Sequence, residues 1–225
     1  MRQAMHRTLG VIPSSSDGWY EGSSYQMNET VLYTCSVGNY DWIHRPRIQP
    51  SGIEFLRFSD RKPPPSSGWT HRALQPIPQA RTARSASRFP KVCPHLVLPG
   101  RDIAIWVDSN VEVLGDVRPL VQSFIESGAD VALYPHPSGR TVAEEIDFAI
   151  LAGRIGPDFY EAAEQQRSRY AAAGVLGSKV AECTIIFYRL YSQALRAAGE
   201  VWWDEITSFT ERDQVSQPFA MRHEA

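Results

Sequence analysis

The chain has 225 residues, 43% hydrophobic and 21% charged, enough to bury one large or two small cores and too apolar for global disorder. A formal net charge of −2 gives no general attraction to nucleic acid or to an anionic membrane, so any anion site must be local. Three separated cysteines, Cys35, Cys93 and Cys183, form no Cys-x-x-Cys or Cys/His cluster, which argues against structural zinc and for reduced core thiols.

Residues 1–29 are rich in Ser, Gly and Met and show no sustained period. They read as a flexible N-terminal arm, with Leu9-Gly10-Val11-Ile12 the piece able to pack. The first thirty residues lack the apolar core of a secretory leader, and no apolar run reaches the length of a membrane span. A cytoplasmic protein without an integral membrane segment is therefore expected. Order begins with a strand over Val31 to Cys35, closing in Ser36-Val37-Gly38-Asn39. Ile53 to Phe58 reads as a second strand ending in Ser59-Asp60. Pro63 to Gly68 is a loop, and Trp69 to Ile77 an irregular extended piece.

A basic segment follows, Arg81-Thr82-Ala83-Arg84-Ser85-Ala86-Ser87-Arg88-Phe89-Pro90-Lys91. Ala and Arg favour helix, and the spacing 81, 84, 88 sets three guanidiniums on one face, with Lys91 close to the same stripe. Pro90 is expected to bend or end this helix. A solvated helix face usually carries acids too, but no Asp or Glu lies between Lys62 and Arg101. An unpaired basic stripe is a reasonable cradle for a diphosphate.

Ile103 to Val107 is an unbroken apolar run, the pattern of a strand covered on both faces in a parallel sheet. It stops at Asp108, at the strand end where such sheets bind ligands. Taken alone, Asp108 is either a turn residue or a group that meets a metal–diphosphate. Val111 and Val113 are expected to resume a short strand with Glu112 turned away.

Pro119 to Ser127 has helical spacing and is capped by Gly128. Val131 to Tyr134 is a strand, and residues 135–140 are a loop. Thr141 and Glu144 form a capping box for a helix to Ala152, in which Glu144 and Glu145 serve the cap and the macrodipole. Pro157 to Ala173 is a helix, Ala181 to Tyr188 a strand and Leu190 to Ile206 a helix. A last helical segment begins at Glu211. One α/β domain over residues 30–225, with a mixed, mostly parallel sheet flanked by helices, fits this order.

The order of these features resembles the nucleotide-sugar glycosyltransferases of the GT-A fold, a Rossmann-like architecture. More closely, five short motifs resemble a glycosyltransferase-like family of plant mucilage- and pectin-related proteins and many bacteria, long classed as a domain of unknown function. They are Ile105-Trp106-Val107-Asp108, the His136-Pro137 loop with Glu144-Glu145, Glu182-Cys183-Thr184-Ile185-Ile186 followed by Arg189, Trp203-x-Glu205, and Arg212-Asp213-Gln214-x-Ser216. The resemblance covers roughly residues 31–220.

It implies transfer of a sugar from a nucleotide-diphosphate donor such as UDP to an acceptor hydroxyl or amine. It places Thr34, Ser36 and Asp60 at the nucleoside, and Arg84, Arg88 and Lys91 at the diphosphate. Arg212 and Gln214 join the donor site, and Asp108 faces the metal or ribose. Asp213 is the first choice for a base or sugar-orienting acid, and Glu182 the second. Variable loops, here 61–80 and 136–160, would receive the acceptor.

GT-A enzymes commonly hold Mn2+ or Mg2+ on an Asp-x-Asp element, completed by a late His. Here the third position is Asn110 and the late His is His223. One carboxylate and one amide oxygen make a weak site for a hard cation, so the metal is left open. So is a homodimer. A nucleotide-sugar hydrolase or nucleotidyltransferase, and a non-catalytic nucleotide-sugar-binding module, are the alternative readings.

Overall fold

The computed structural model describes residues 10–11, 30–38 and 44–222. All of the 1–29 arm except Gly10 and Val11 lies outside them, as does His223. Among the described residues a seven-stranded sheet runs in the order β1-β6-β7-β5-β2-β3-β4. The strands are β1 (Gly10–Val11), β2 (Thr30–Ser36), β3 (Ile53–Ser59), β4 (Thr70–Ala73), β5 (Ile103–Val107), β6 (Val131–Pro135) and β7 (Ala181–Arg189). β2 pairs in parallel with β3 and β5, and β3 with β4. β7 runs antiparallel between β5 and β6, and β1 antiparallel to β6. Five of the seven strands thus point the same way, which makes the sheet mixed and mostly parallel. The helices are α1 (Ala83–Val92), α2 (Pro94–Val97), α3 (Arg118–Ser127), α4 (Val142–Leu151), α5 (Tyr160–Ala172), α6 (Gln193–Ser208) and α7 (Asp213–Arg222).

Strand alternation explains why β2 and β5 are apolar throughout. Val31, Tyr33, Cys35, Ala104 and Trp106 enter one core with Trp202, Trp203 and Ile206 of α6. Leu32, Ile103, Ile105 and Val107 enter the opposite core with Val121 and Phe124 of α3. Both faces of the sheet are covered, so each central strand buries every side chain. A third core gathers Val142, Ile146 and Ala149 of α4 with Tyr170 of α5 and Val215 and Phe219 of α7. No described helix is long and apolar enough to cross a membrane.

Several local expectations shift. No strand forms over residues 111–113. Instead the Val111 N–H donates to the Asp108 carbonyl at 2.9 Å and closes a turn. Val113 is still buried, and its carbonyl accepts from the Arg47 N–H at 2.9 Å. The helix expected from Leu190 starts at Gln193, because the Ser192 hydroxyl caps the Leu195 N–H. Pro90 neither ends nor breaks α1, which runs on to Val92; the proline forgoes only the one bond that an N–H at its position would make to the Ala86 carbonyl. The carbonyls there find other donors: the Tyr33 hydroxyl donates to Pro90 O at 3.0 Å and the Tyr188 hydroxyl to Lys91 O at 2.7 Å.

Candidate functional site

The carboxyl ends of β2 and β5, the residue after β6 and the start of β7 meet at one edge of the sheet. There they border a cavity of about 560 Å3. Two features aim side chains into it. The Asp108 N–H donates to Thr184 O at 2.8 Å, which extends the β5–β7 ladder by one residue and fixes the acid at its end. Between Leu133 and Tyr134 the β6–β7 register jumps, so that Ile186 faces Leu133 but Glu182 faces Tyr134. This bulge leaves residues 183–185 without β6 partners and brings Glu182, Cys183 and Thr184 to the cavity wall.

Helix α1 forms the cationic wall. Thr82 caps it in a capping box with Ser85, each side chain accepting from the other's backbone N–H. Residues 84, 88 and 91 then share the face turned to the cavity, one helical turn apart. Arg81 precedes the cap and leaves the stripe expected for it. Its guanidinium donates to Ile206 O and Phe209 O and lies over the Phe159 ring.

At the floor sits a compact ionic cluster. Lys91 Nζ donates to Asp108 Oδ1 at 3.0 Å and to Asp213 Oδ2 at 2.5 Å. Arg88 adds longer contacts, 3.8 Å to Asp108 and 3.7 Å to Asp213. Trp106 Nε1 also donates to Asp108 Oδ1, at 2.7 Å, and the lysine ammonium lies 5.5 Å from the Trp106 ring centroid. Lys91 is only 1% exposed. Burial works against its charge, but Asp108 and Asp213 outweigh that and hold its pKa above the ordinary lysine value. Burial would likewise raise the Asp213 pKa, yet Arg88, Lys91 and Arg212 hold it well below the usual carboxylate range.

A second cluster adjoins the first. Glu145, fully buried, accepts from Arg140 Nε at 2.7 Å and from Arg212 at 3.0 Å. Arg212 also donates to Gln214 Oε1 at 2.6 Å. Glu145 therefore anchors two cavity arginines, beyond the macrodipole role expected of it, while Glu144 closes the capping box. The Arg140 guanidinium lies 3.9 Å from the Phe148 ring centroid and that of Arg154 lies 5.1 Å from it. Among the described residues six Lys and Arg side chains line the cavity: Arg84, Arg88, Lys91, Arg140, Arg154 and Arg212. Against Asp108, Glu182, Asp213 and Glu145 behind them, the described residues leave two positive charges in excess.

The cavity brings together Ser36, Arg84, Arg88, Lys91, Asp108, Asn110, Glu182, Arg212, Asp213 and Gln214. Thr34 and Asp60, assigned to the nucleoside, are not among its lining residues. Thr34 is fully buried, and Asp60 accepts from the Gly38 N–H at 3.1 Å. His223 lies outside the described residues. His136, Arg140, Phe148 and Arg154 line the cavity without having been assigned to it, all within the 136–160 segment. His136 Nε2 lies 3.7 Å from Glu182. Segment 61–80 supplies no lining residue.

The remaining motif residues are structural. Glu205 accepts from Tyr170 at 2.8 Å and Arg169 at 2.9 Å, joining α6 to α5, and Arg189 donates to Ala129 O at 3.0 Å. The three cysteines are free, and burial pushes their thiols far up, Cys93 to about 12, so they stay protonated.

The carboxylates present do not fit a divalent cation. Such an ion needs several oxygens at about 2.0–2.6 Å. The ammonium of Lys91 already stands between Asp108 and Asp213, and Asp108 Oδ1 accepts from Trp106 as well. Among the described residues, no group of three or more His, Cys, Asp or Glu side chains is placed to hold a metal.

A Rossmann-like α/β domain with a cationic cavity at the carboxyl ends of its parallel strands is the class that fold and site define. Residues 73–224, about two thirds of the chain, match the profile of the TOD1/MUCI70 glycosyltransferase-like domain, and the chain belongs to that family. No curated protein matches it.

Proposed function

We propose that the chain is a glycosyltransferase that takes its sugar from a nucleoside-diphosphate donor and passes it to an acceptor hydroxyl or amine. The observation that carries this reading is the excess of positive charge lining a cavity at the carboxyl ends of the parallel strands. A diphosphate leaving group develops negative charge as its bond to the sugar breaks, and fixed cations lower the energy of that state. Arg84, Arg88 and Arg154 are the cations proposed to meet it. Ser36 and Asn110 face the same space and are proposed to orient the nucleoside and ribose.

Of the lining carboxylates Asp108, Glu182 and Asp213, Glu182 is proposed as the base. Asp213 is 3% exposed at its side chain and neutralised by Lys91, and its depressed pKa makes it a poor proton acceptor. The Glu182 side chain is 21% exposed, and its ion-pair contact among the described residues is with the His136 ring at 3.7 Å. In the proposed step the acceptor oxygen forms its bond to the anomeric carbon and passes its proton to Glu182. The bond from that carbon to the diphosphate oxygen breaks, and both its electrons leave with the diphosphate.

Calorimetric titration with nucleoside diphosphates and their sugars tests the reading. At least one should bind, and turnover with an acceptor should release nucleoside diphosphate. Release of free sugar in the absence of any acceptor would point to a hydrolase. Binding by none of them would overturn the proposal.

A further inference from the structure

Lys91 is the one lysine that lines the cavity, and its position is unusual for a group meant to grip a ligand. Its ammonium is buried and stands between the acid that ends β5 and the acid that begins α7. We propose that Lys91 is a built-in cation at the centre of the site, standing where a divalent metal would bridge Asp108 and Asp213, so that the diphosphate is bound without metal. The diphosphate part rests on the donor reading above; the occupancy of the two carboxylates does not.

Three observations carry it. First, space: the ammonium lies 3.0 Å from one carboxylate and 2.5 Å from the other, so an ion ligated by both would coincide with it. Second, charge: among the described residues, Lys91 and Arg88 stand against Asp108 and Asp213, two cations against two carboxylates, so the pair of acids carries no negative surplus toward a dication. Third, the lysine is held at both ends. Its carbonyl accepts from the Tyr188 hydroxyl at 2.7 Å, and its Nζ lies over the Trp106 ring. Moving it aside would strand a buried ammonium, a costlier state than the one it leaves. Asn110 agrees with this arrangement, since a neutral amide suffices where no second charge need be met.

Substitution should reverse the preference. Lys91→Ala leaves two facing carboxylates with the Arg88 guanidinium at 3.7–3.8 Å, a site that favours Mn2+. The tests are titration of Mn2+ alone into wild type and Lys91→Ala, followed by electron paramagnetic resonance of the free ion, and thermal shift of the wild type with pyrophosphate in EDTA. Wild type should bind no Mn2+, Lys91→Ala should bind it at least about tenfold more tightly, and pyrophosphate should raise the wild-type melting temperature in EDTA. Stoichiometric Mn2+ binding by the wild type, lost in Asp108→Asn, would overturn the proposal even if Lys91→Ala fails to fold. So would a pyrophosphate shift that appears only with Mn2+. Absence of any pyrophosphate shift, with or without Mn2+, would sink the donor reading, while the wild-type Mn2+ titration would still decide the role of Lys91.

Discussion

Asp213 and Glu182 set the same functional group, a carboxylate, in two different surroundings of one cavity. The first is buried and ion-paired with Lys91; the second is partly buried, with the His136 ring at 3.7 Å. Asp213→Asn should leave Lys91 with a single close carboxylate and lower stability by about 3–5 kcal/mol, read from denaturant unfolding. Glu182→Gln should instead fold normally and bind donor as before, while turnover falls by about 10²–10⁴. The pH dependence follows from the directions of the two shifts. The Asp213 pKa is depressed on folding, so its contribution is present above about pH 4 and lost as pH falls further. The Lys91 pKa is raised, so its contribution is present below about pH 10 and lost as pH climbs through the folded value. Melting temperature should be flat between these limits where this cluster governs it, and Lys91→Met should remove the alkaline fall.

Among the elements, α1 carries the clearest signal in the sequence. Its basic face and the absence of acids between Lys62 and Arg101 identify a cationic wall, and Arg84, Arg88 and Lys91 do line the cavity. Arg81 leaves the stripe because the helix starts at the Thr82 cap, which the 81, 84, 88 spacing does not register. The burial of Lys91 was not legible, since it depends on Asp213, 122 residues away in sequence. β7 was recognised as a strand, but the bulge that turns Glu182 inward arises from pairing with β6 and leaves no local signature. Arg140, Phe148 and Arg154 were missed for a similar reason: their meeting depends on how α4 docks.

The placing of α1 yields a further prediction. A Cβ on Gly199 would lie 2.5 Å from the carbonyl oxygen of Val92, at the end of α1. Gly199→Ala should push α6 and α1 apart and cost about 1–3 kcal/mol in denaturant unfolding, despite alanine's better helix propensity.

Across the whole molecule, the fold was more legible than the site. Unbroken apolar runs report strands buried on both faces, and caps at Thr141 and Gly128 mark helix ends correctly. Those patterns arise within a few residues. The cavity joins α1, the ends of β2 and β5, the start of β7, α4 and α7, and its charge balance exists only when they meet. That balance should be visible in solution: nucleoside-diphosphate affinity should fall as ionic strength rises, and Arg154→Ala should weaken it by about tenfold.

Tyr33 and Tyr188 belong to different strands, yet both hydroxyls donate to consecutive carbonyls at the end of α1. The helix bearing the cationic wall is thereby tied to the sheet at two points before any ligand arrives. Association should then be a single encounter step without gating. In stopped-flow experiments the observed rate should climb linearly with nucleotide concentration and reach no plateau, whereas Tyr188→Phe should introduce curvature.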